Sequence, residues 1–119
     1  MRLHHVQLAI PAGSEAACRA FYCDVLGWSE LEKPPSLAAR GGLWLSTGAS
    51  ELHLGVEADF RPARKAHPAF AVRDLDDVAA RLRAGAAPVD FDEAIPGLRR
   101  FYTMDAVGNR IEFMEEPGP

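Results

Sequence analysis

Apolar and polar residues alternate with period two in four short segments of the chain: His4–Ile10, Glu51–Val56, Ala66–Val72 and Asn109–Met114. Side chains of a strand point alternately to opposite faces, so each segment reads as a strand with one apolar face. Val6, Leu8 and Ile10 oppose His5 and Gln7; Leu52, Leu54 and Val56 oppose His53. Phe70 and Val72 oppose His67, and Ile111 and Phe113 oppose Glu112. Helical periodicity appears twice. Ala17, Cys18, Phe21, Tyr22, Val25 and Leu26 predict a helix over 15–26, with Ser14 as its cap and Gly27 as its stop. Leu75, Val78, Ala79 and Leu82 predict a second helix, capped by Asp74, with Asp77 in its first turn and Gly85 at its end.

Shorter strands are expected over 28–32, 43–47, 87–91 and 99–104, with 50–56, 66–72 and 109–115 around the segments above and the first strand over 3–10. Lys33-Pro34-Pro35-Ser36 reads as a loop. Thr47–Ser50 and Val107–Asn109 read as hairpin turns, and 57–65 as a polar linker. The order is β-α-β-β-β, twice, with modules at about 1–57 and 66–116. This predicts an α+β fold in one domain. A repeat of that kind relates His5 to His67 and His53 to Glu112 by a pseudo-twofold axis, so that four side chains meet where the halves join.

Composition narrows the function. With 48% hydrophobic and 25% charged residues the chain is ordinary for a globular protein, and no apolar run approaches the roughly 20 residues that span a bilayer. A net charge of −4 argues against nucleic acid as a partner. Arg61, Arg64 and Lys65 form a basic run that reads as solvated linker. Cys18 and Cys23 fall on different faces of the first helix and are expected as free thiols, which fits the cytoplasm. Three imidazoles and a carboxylate facing away from the core suggest a metal site, because such ligands suit Zn²⁺, Fe²⁺, Mn²⁺ or Ni²⁺.

The segments HHVQLAIP, FYCDVLGW, HLGV, AHPAFAVRDLD and RRFYTMDAVGNRIEFMEEP, in that order, cover nearly the whole chain. Together they resemble the vicinal oxygen chelate superfamily, which includes glyoxalase I, bleomycin resistance proteins, fosfomycin resistance enzymes and extradiol dioxygenases. The resemblance implies paired βαβββ modules forming an open, cupped sheet around one divalent metal ion, usually in a homodimer. It carries the metal positions onto His5, His67 and Glu112, with His53 at the fourth position used in glyoxalase I. The metal would act as a Lewis acid on a small oxygen-bearing substrate, and Glu112 is also the candidate base. Gln7, Trp44, Arg100 and Tyr102 are candidates for contacting substrate, an arginine there suiting an anionic group. Phe21 and Tyr22 read as packing. Asp105-Ala106-Val107-Gly108 departs from the Asp-Pro-X-Gly of many relatives. The expected function is a glyoxalase-like lyase or isomerase. The alternatives are a ring-cleaving dioxygenase, an epoxide-opening transferase, or a metal-free sequestering protein of the bleomycin resistance type.

Overall fold

The computed structural model describes residues 1–117. Its first sheet contains β1 (His5–Ile10), β2 (Ser29–Leu31), β3 (Leu43–Ser46) and β4 (Glu51–Val56), in the order β1-β4-β3-β2. The second contains β5 (Ala69–Val72), β6 (Asp90–Phe91), β7 (Arg100–Met104) and β8 (Arg110–Glu115), in the order β5-β8-β7-β6. In each sheet the first strand runs parallel to the last and the other neighbours are antiparallel. The two sheets repeat one topology, giving the expected α+β arrangement of two modules.

The first helix is α1 (Glu15–Arg19) continued by a π-helical stretch, Ala20–Val25. There the Leu26 N–H reaches the Phe21 carbonyl five residues back, at 3.1 Å. Phe21 and Tyr22 are both buried, as expected for packing residues. Ser14 does not cap with its side chain; its hydroxyl donates to the Pro11 carbonyl instead, at 2.7 Å. Asp74 does cap α3 (Leu75–Ala84), accepting from the Asp77 N–H at 3.0 Å. Part of the expected 33–36 loop is a short helix, α2 (Pro35–Ala38), because a proline at the first helical position has its φ already set and its missing N–H is no loss. The fifth strand begins at Ala69, so His67 precedes it. Pro68 has no N–H for a ladder, although its carbonyl still accepts from the Glu112 N–H at 3.0 Å.

The inward faces of both sheets share one core. Leu8, Ile10, Leu43, Leu45, Leu52 and Leu54 of the first join Phe101, Ile111 and Phe113 of the second, with Cys18, Tyr22, Leu75 and Leu82 from the helices. Burying each large side chain is worth about 1.5–3 kcal/mol. Polar ties also cross between the modules. The Tyr22 hydroxyl donates to Asp105 Oδ2 at 2.6 Å, and Asn109 Nδ2 donates to the Ala9 carbonyl at 2.8 Å. Trp28 packs edge-on to Phe70.

Candidate functional site: two half-sites on two sheets

The alternation read from the sequence holds on both sheets, and the polar faces carry the ionisable residues. On the first sheet the register sets Gln7 opposite His53 on one side and Trp44 opposite His53 on the other. His53 is stacked between two rings: His5 at 4.0 Å between centroids and Trp44 at 4.3 Å. Both faces of the imidazole are covered, so His53 is only 5% exposed and only its ring-edge nitrogens remain for chemistry. Nε2 lies 3.1 Å from Glu51 Oε1. The hydrogen bond from His53 holds the Glu51 carboxyl below its ordinary range. A carboxylate only accepts, so Nε2 donates this bond, and in the neutral ring Nδ1 is the nitrogen with the lone pair. His4 joins this group, its Nδ1 2.9 Å from His5 Nδ1. A cavity of about 510 Å³ opens here, with His5, Gln7, Trp44 and His53 in its wall. The Gln7 amide lies across Gly55, where a β-carbon would meet its Nε2 at 2.8 Å.

On the second sheet, β7–β8 pairing sets Tyr102 opposite Glu112, and β5–β8 pairing sets Ala69 beside it. Glu112 is 7% exposed, and both its oxygens are engaged. Oε1 lies 2.9 Å from His67 Nε2, and Oε2 accepts from Arg100 Nη1 at 3.3 Å. Arg100 Nη1 also donates to the Tyr102 hydroxyl at 2.8 Å, and Nη2 lies 3.4 Å from Asp92 Oδ1. The Arg100 Nε is buried and has no hydrogen-bond partner among the described residues. The Arg110 guanidinium covers the Tyr102 ring at 3.8 Å.

The His67 ring carries a second constraint. Its Nδ1 lies 2.8 Å from the Lys65 carbonyl, which can only accept, so Nδ1 is protonated. Nε2 therefore meets the Glu112 carboxylate either as a second N–H or as a lone pair. Two lone pairs at 2.9 Å require a proton or a metal cation shared between them. A histidine whose far nitrogen is fixed by a backbone carbonyl, aimed beside a buried carboxylate, is a pair that could hold a metal ion.

The expected meeting of all four residues is not found within the chain. Among the described residues there is no group of three or more His, Cys, Asp or Glu side chains placed to hold a metal ion. The residues form two pairs instead, His5 with His53 and His67 with Glu112, on separate sheets. The repeat of topology is present, but no strand ladder joins β1 to β5. Of the candidate substrate contacts, Gln7 and Trp44 line the first cavity, whereas Arg100 and Tyr102 are bonded into the Glu112 cluster. Sequence reading missed Glu51, which lies on the His53 face of its strand. It also missed Asp92, which arrives from a loop with no periodicity to mark it. Cys18 and Cys23 are free thiols. Burial, followed by the nearby Asp105 charge, pushes the Cys18 thiol up to about 11.

A family model described as a glyoxalase-like domain matches residues 7–114. Solved structures agree with it. A Bacillus anthracis protein described only as a glyoxalase family member is 45% identical, with a TM-score of 0.94, over 98% of this chain and 96% of that one. Lactoylglutathione lyase from Agrobacterium tumefaciens is 23% identical, with a TM-score of 0.73, over 96% and 92% of the two chains. The fosfomycin resistance protein FosX from Listeria monocytogenes is 14% identical, with a TM-score of 0.77, over 98% and 94%. No curated protein matches the chain. No helix among the described residues is long and apolar enough to cross a membrane.

Proposed function

The chain belongs to the glyoxalase-like family, and on that footing we propose that it is a divalent-metal-dependent lyase or isomerase acting on a small oxygen-bearing metabolite. The observation that carries this reading is the His67–Glu112 pair: a ring with its far nitrogen fixed as a donor, aimed at a buried carboxylate. His5, His53, His67 and Glu112 would hold the ion, and Zn²⁺, Fe²⁺, Ni²⁺ or Mn²⁺ bound there supplies Lewis acidity toward a substrate carbonyl.

The pairs lie on different sheets, and β1 and β5 are edge strands with a neighbour on one side only. Edge strands present unpaired N–H and C=O groups to a further strand. The complete set is therefore assigned to a homodimer, with His5 and His53 of one copy facing His67 and Glu112 of the second. The residues around the cup have separate tasks. Glu51 fixes the His53 tautomer, and Trp44 and His5 hold its ring plane. Arg100 occupies Oε2 of Glu112, so Oε1, beside His67 Nε2, is the oxygen that would take a proton from a substrate carbon beside a carbonyl. Gln7 and Trp44 form wall against which substrate is oriented. Free thiols at Cys18 and Cys23 suit a reducing, cytoplasmic setting.

The test is complementation. A His5→Ala/His53→Ala chain and a His67→Ala/Glu112→Ala chain are each purified and assayed for divalent metal, then co-expressed. Wild type should hold about one ion per chain and each variant close to none. With random pairing, the mixture should hold about a quarter of an ion per chain, since one intact site forms per mixed dimer. Recovery together with zinc, nickel or manganese leads to lyase and isomerase assays, whereas iron leads to the dioxygenase alternative. Wild type without metal after incubation with each ion refutes the enzyme reading and favours a sequestering protein. Metal in wild type without recovery refutes the shared site.

A further inference from the structure

The segment joining β2 to β3 is pinned against the first half-site at several points. Pro34 and Pro35 open α2, and Gly41 and Gly42 close the segment with φ of +74° and +84°. At Gly42 a β-carbon would sit 2.1 Å from the Leu54 carbonyl oxygen, so the strap lies directly on β4. Its amide donates to Glu15 Oε2 at 3.1 Å. The Lys33 ammonium donates to the Gly41 carbonyl, which draws the start of the strap to its end. The strap thus carries Lys33 and Arg40 to the cavity that holds His5, Gln7, Trp44 and His53.

This placement runs against the charge of the chain, which has 17 acidic and 13 basic residues. Glu51 is the one carboxylate in the cavity wall among the described residues, and its Oε1 is 3.1 Å from His53 Nε2. Arg40 has no ion-pair partner among the described residues, and a Lys33 ammonium giving one hydrogen to Gly41 keeps two for another acceptor. An unpaired guanidinium and a tethered ammonium at one rim match an oxyanion with two or more acceptor oxygens.

We infer that the 33–42 strap is a binding site for an oxyanion, a carboxylate or phosphonate borne by the substrate. The inference rests on reading this cavity as the substrate cup, and it names the substrate class: small anionic metabolites in preference to neutral ones. The strap acts as the specificity element, and the metal-type residues act on the rest of the molecule.

The test titrates the full chain with lactate, methylphosphonate and the neutral lactamide, following the Gly41 and Gly42 amide and Trp44 indole resonances. Lactate, methylphosphonate or both should give saturable shifts, and lactamide should not. Which of the two anions binds more tightly separates carboxylate from phosphonate. Arg40→Met, which leaves the Lys33–Gly41 tether intact, and Lys33→Met/Arg40→Met should each weaken binding, the double variant by about tenfold or more. Metal content should be unchanged in both. Lactamide binding as tightly as lactate overturns the inference, as does undiminished anion affinity in the double variant, or no saturable shift with either anion. An anion held by the metal ion instead of the strap gives undiminished affinity in the double variant, so failure here is separate from failure of the metal reading.

Discussion

The Tyr22 hydroxyl and the Asp105 carboxylate meet at 2.6 Å in the interior, joining the first helix to the last hairpin turn across 83 residues. Asp105 Oδ1 accepts the Val107 and Asn109 amides at 3.0 and 2.9 Å, and Asn109 in turn reaches the Ala9 carbonyl. The aspartate that opens the hairpin is thereby part of the joint between modules. Tyr22→Phe leaves Asp105 Oδ2 with only the longer bond from Asn109 Nδ2, at 3.3 Å, and should destabilise the fold by about 1–3 kcal/mol in urea titrations. An unchanged midpoint would show that the bond contributes nothing net.

Arg100 should matter to metal binding without touching the ion. It holds the Glu112 oxygen that does not face His67. Arg100→Met should lower metal affinity by about 10–100-fold in competition with a chelator of known affinity, in line with the loss of other groups that orient metal ligands. Tyr102→Phe keeps the guanidinium and should do less. If Arg100→Met leaves affinity intact while raising KM, Arg100 contacts substrate instead.

Alkaline pH should weaken the fold. The folded Cys18 pKa is raised to about 11, from an ordinary 9.0, by burial and then by the Asp105 charge. The Tyr22 hydroxyl is pushed well above 10.0, first by burial, then by the Asp105 charge and the hydrogen bond it donates to that carboxylate. Both groups are neutral in the folded and unfolded chains at pH 7. Raised pKa values therefore contribute stability that is whole below the unfolded values and is lost as pH rises through the folded ones. Stability should begin to fall near pH 9 and continue downward through pH 11. Cys18→Ala should flatten the early part of that fall, and an identical pH profile in the variant would discount the thiol.

Gly42 and Gly48 separate close approach from backbone conformation. Both have positive φ, +84° and +99°, but only Gly42 lies against another backbone atom. Gly48→Ala should cost on the order of 1 kcal/mol, from backbone conformation alone. Gly42→Ala should cost about 3 kcal/mol or more and disturb the strap over the first cavity. Equal losses in thermal melts would show that the strap moves aside freely.

Local pattern is enough to say which residues face which way. Period-two alternation assigned His5, His53 and Glu112 to the faces away from the core, and helical spacing assigned Tyr22 and Leu82 to it, because these patterns depend only on local backbone geometry. The repeated β-α-β-β-β order was legible for the same reason. His67 reads as part of a strand in the sequence, but that strand starts only at Ala69, after Pro68. The helix at Pro35 and the π-helical turn at Ala20–Val25 were not legible, since a run with two prolines reads as loop and one extra residue in a helical turn leaves the spacing nearly unchanged. The separation of the four candidate residues into two pairs comes from packing instead. That outcome depends on how two sheets pack through Tyr22, Trp28 and Asn109, a long-range balance of burial and hydrogen bonding that no local pattern encodes. The same is true of Glu51 behind His53, Arg100 behind Glu112, and the Lys33–Gly41 tether, each made by side chains that the fold alone brings into reach.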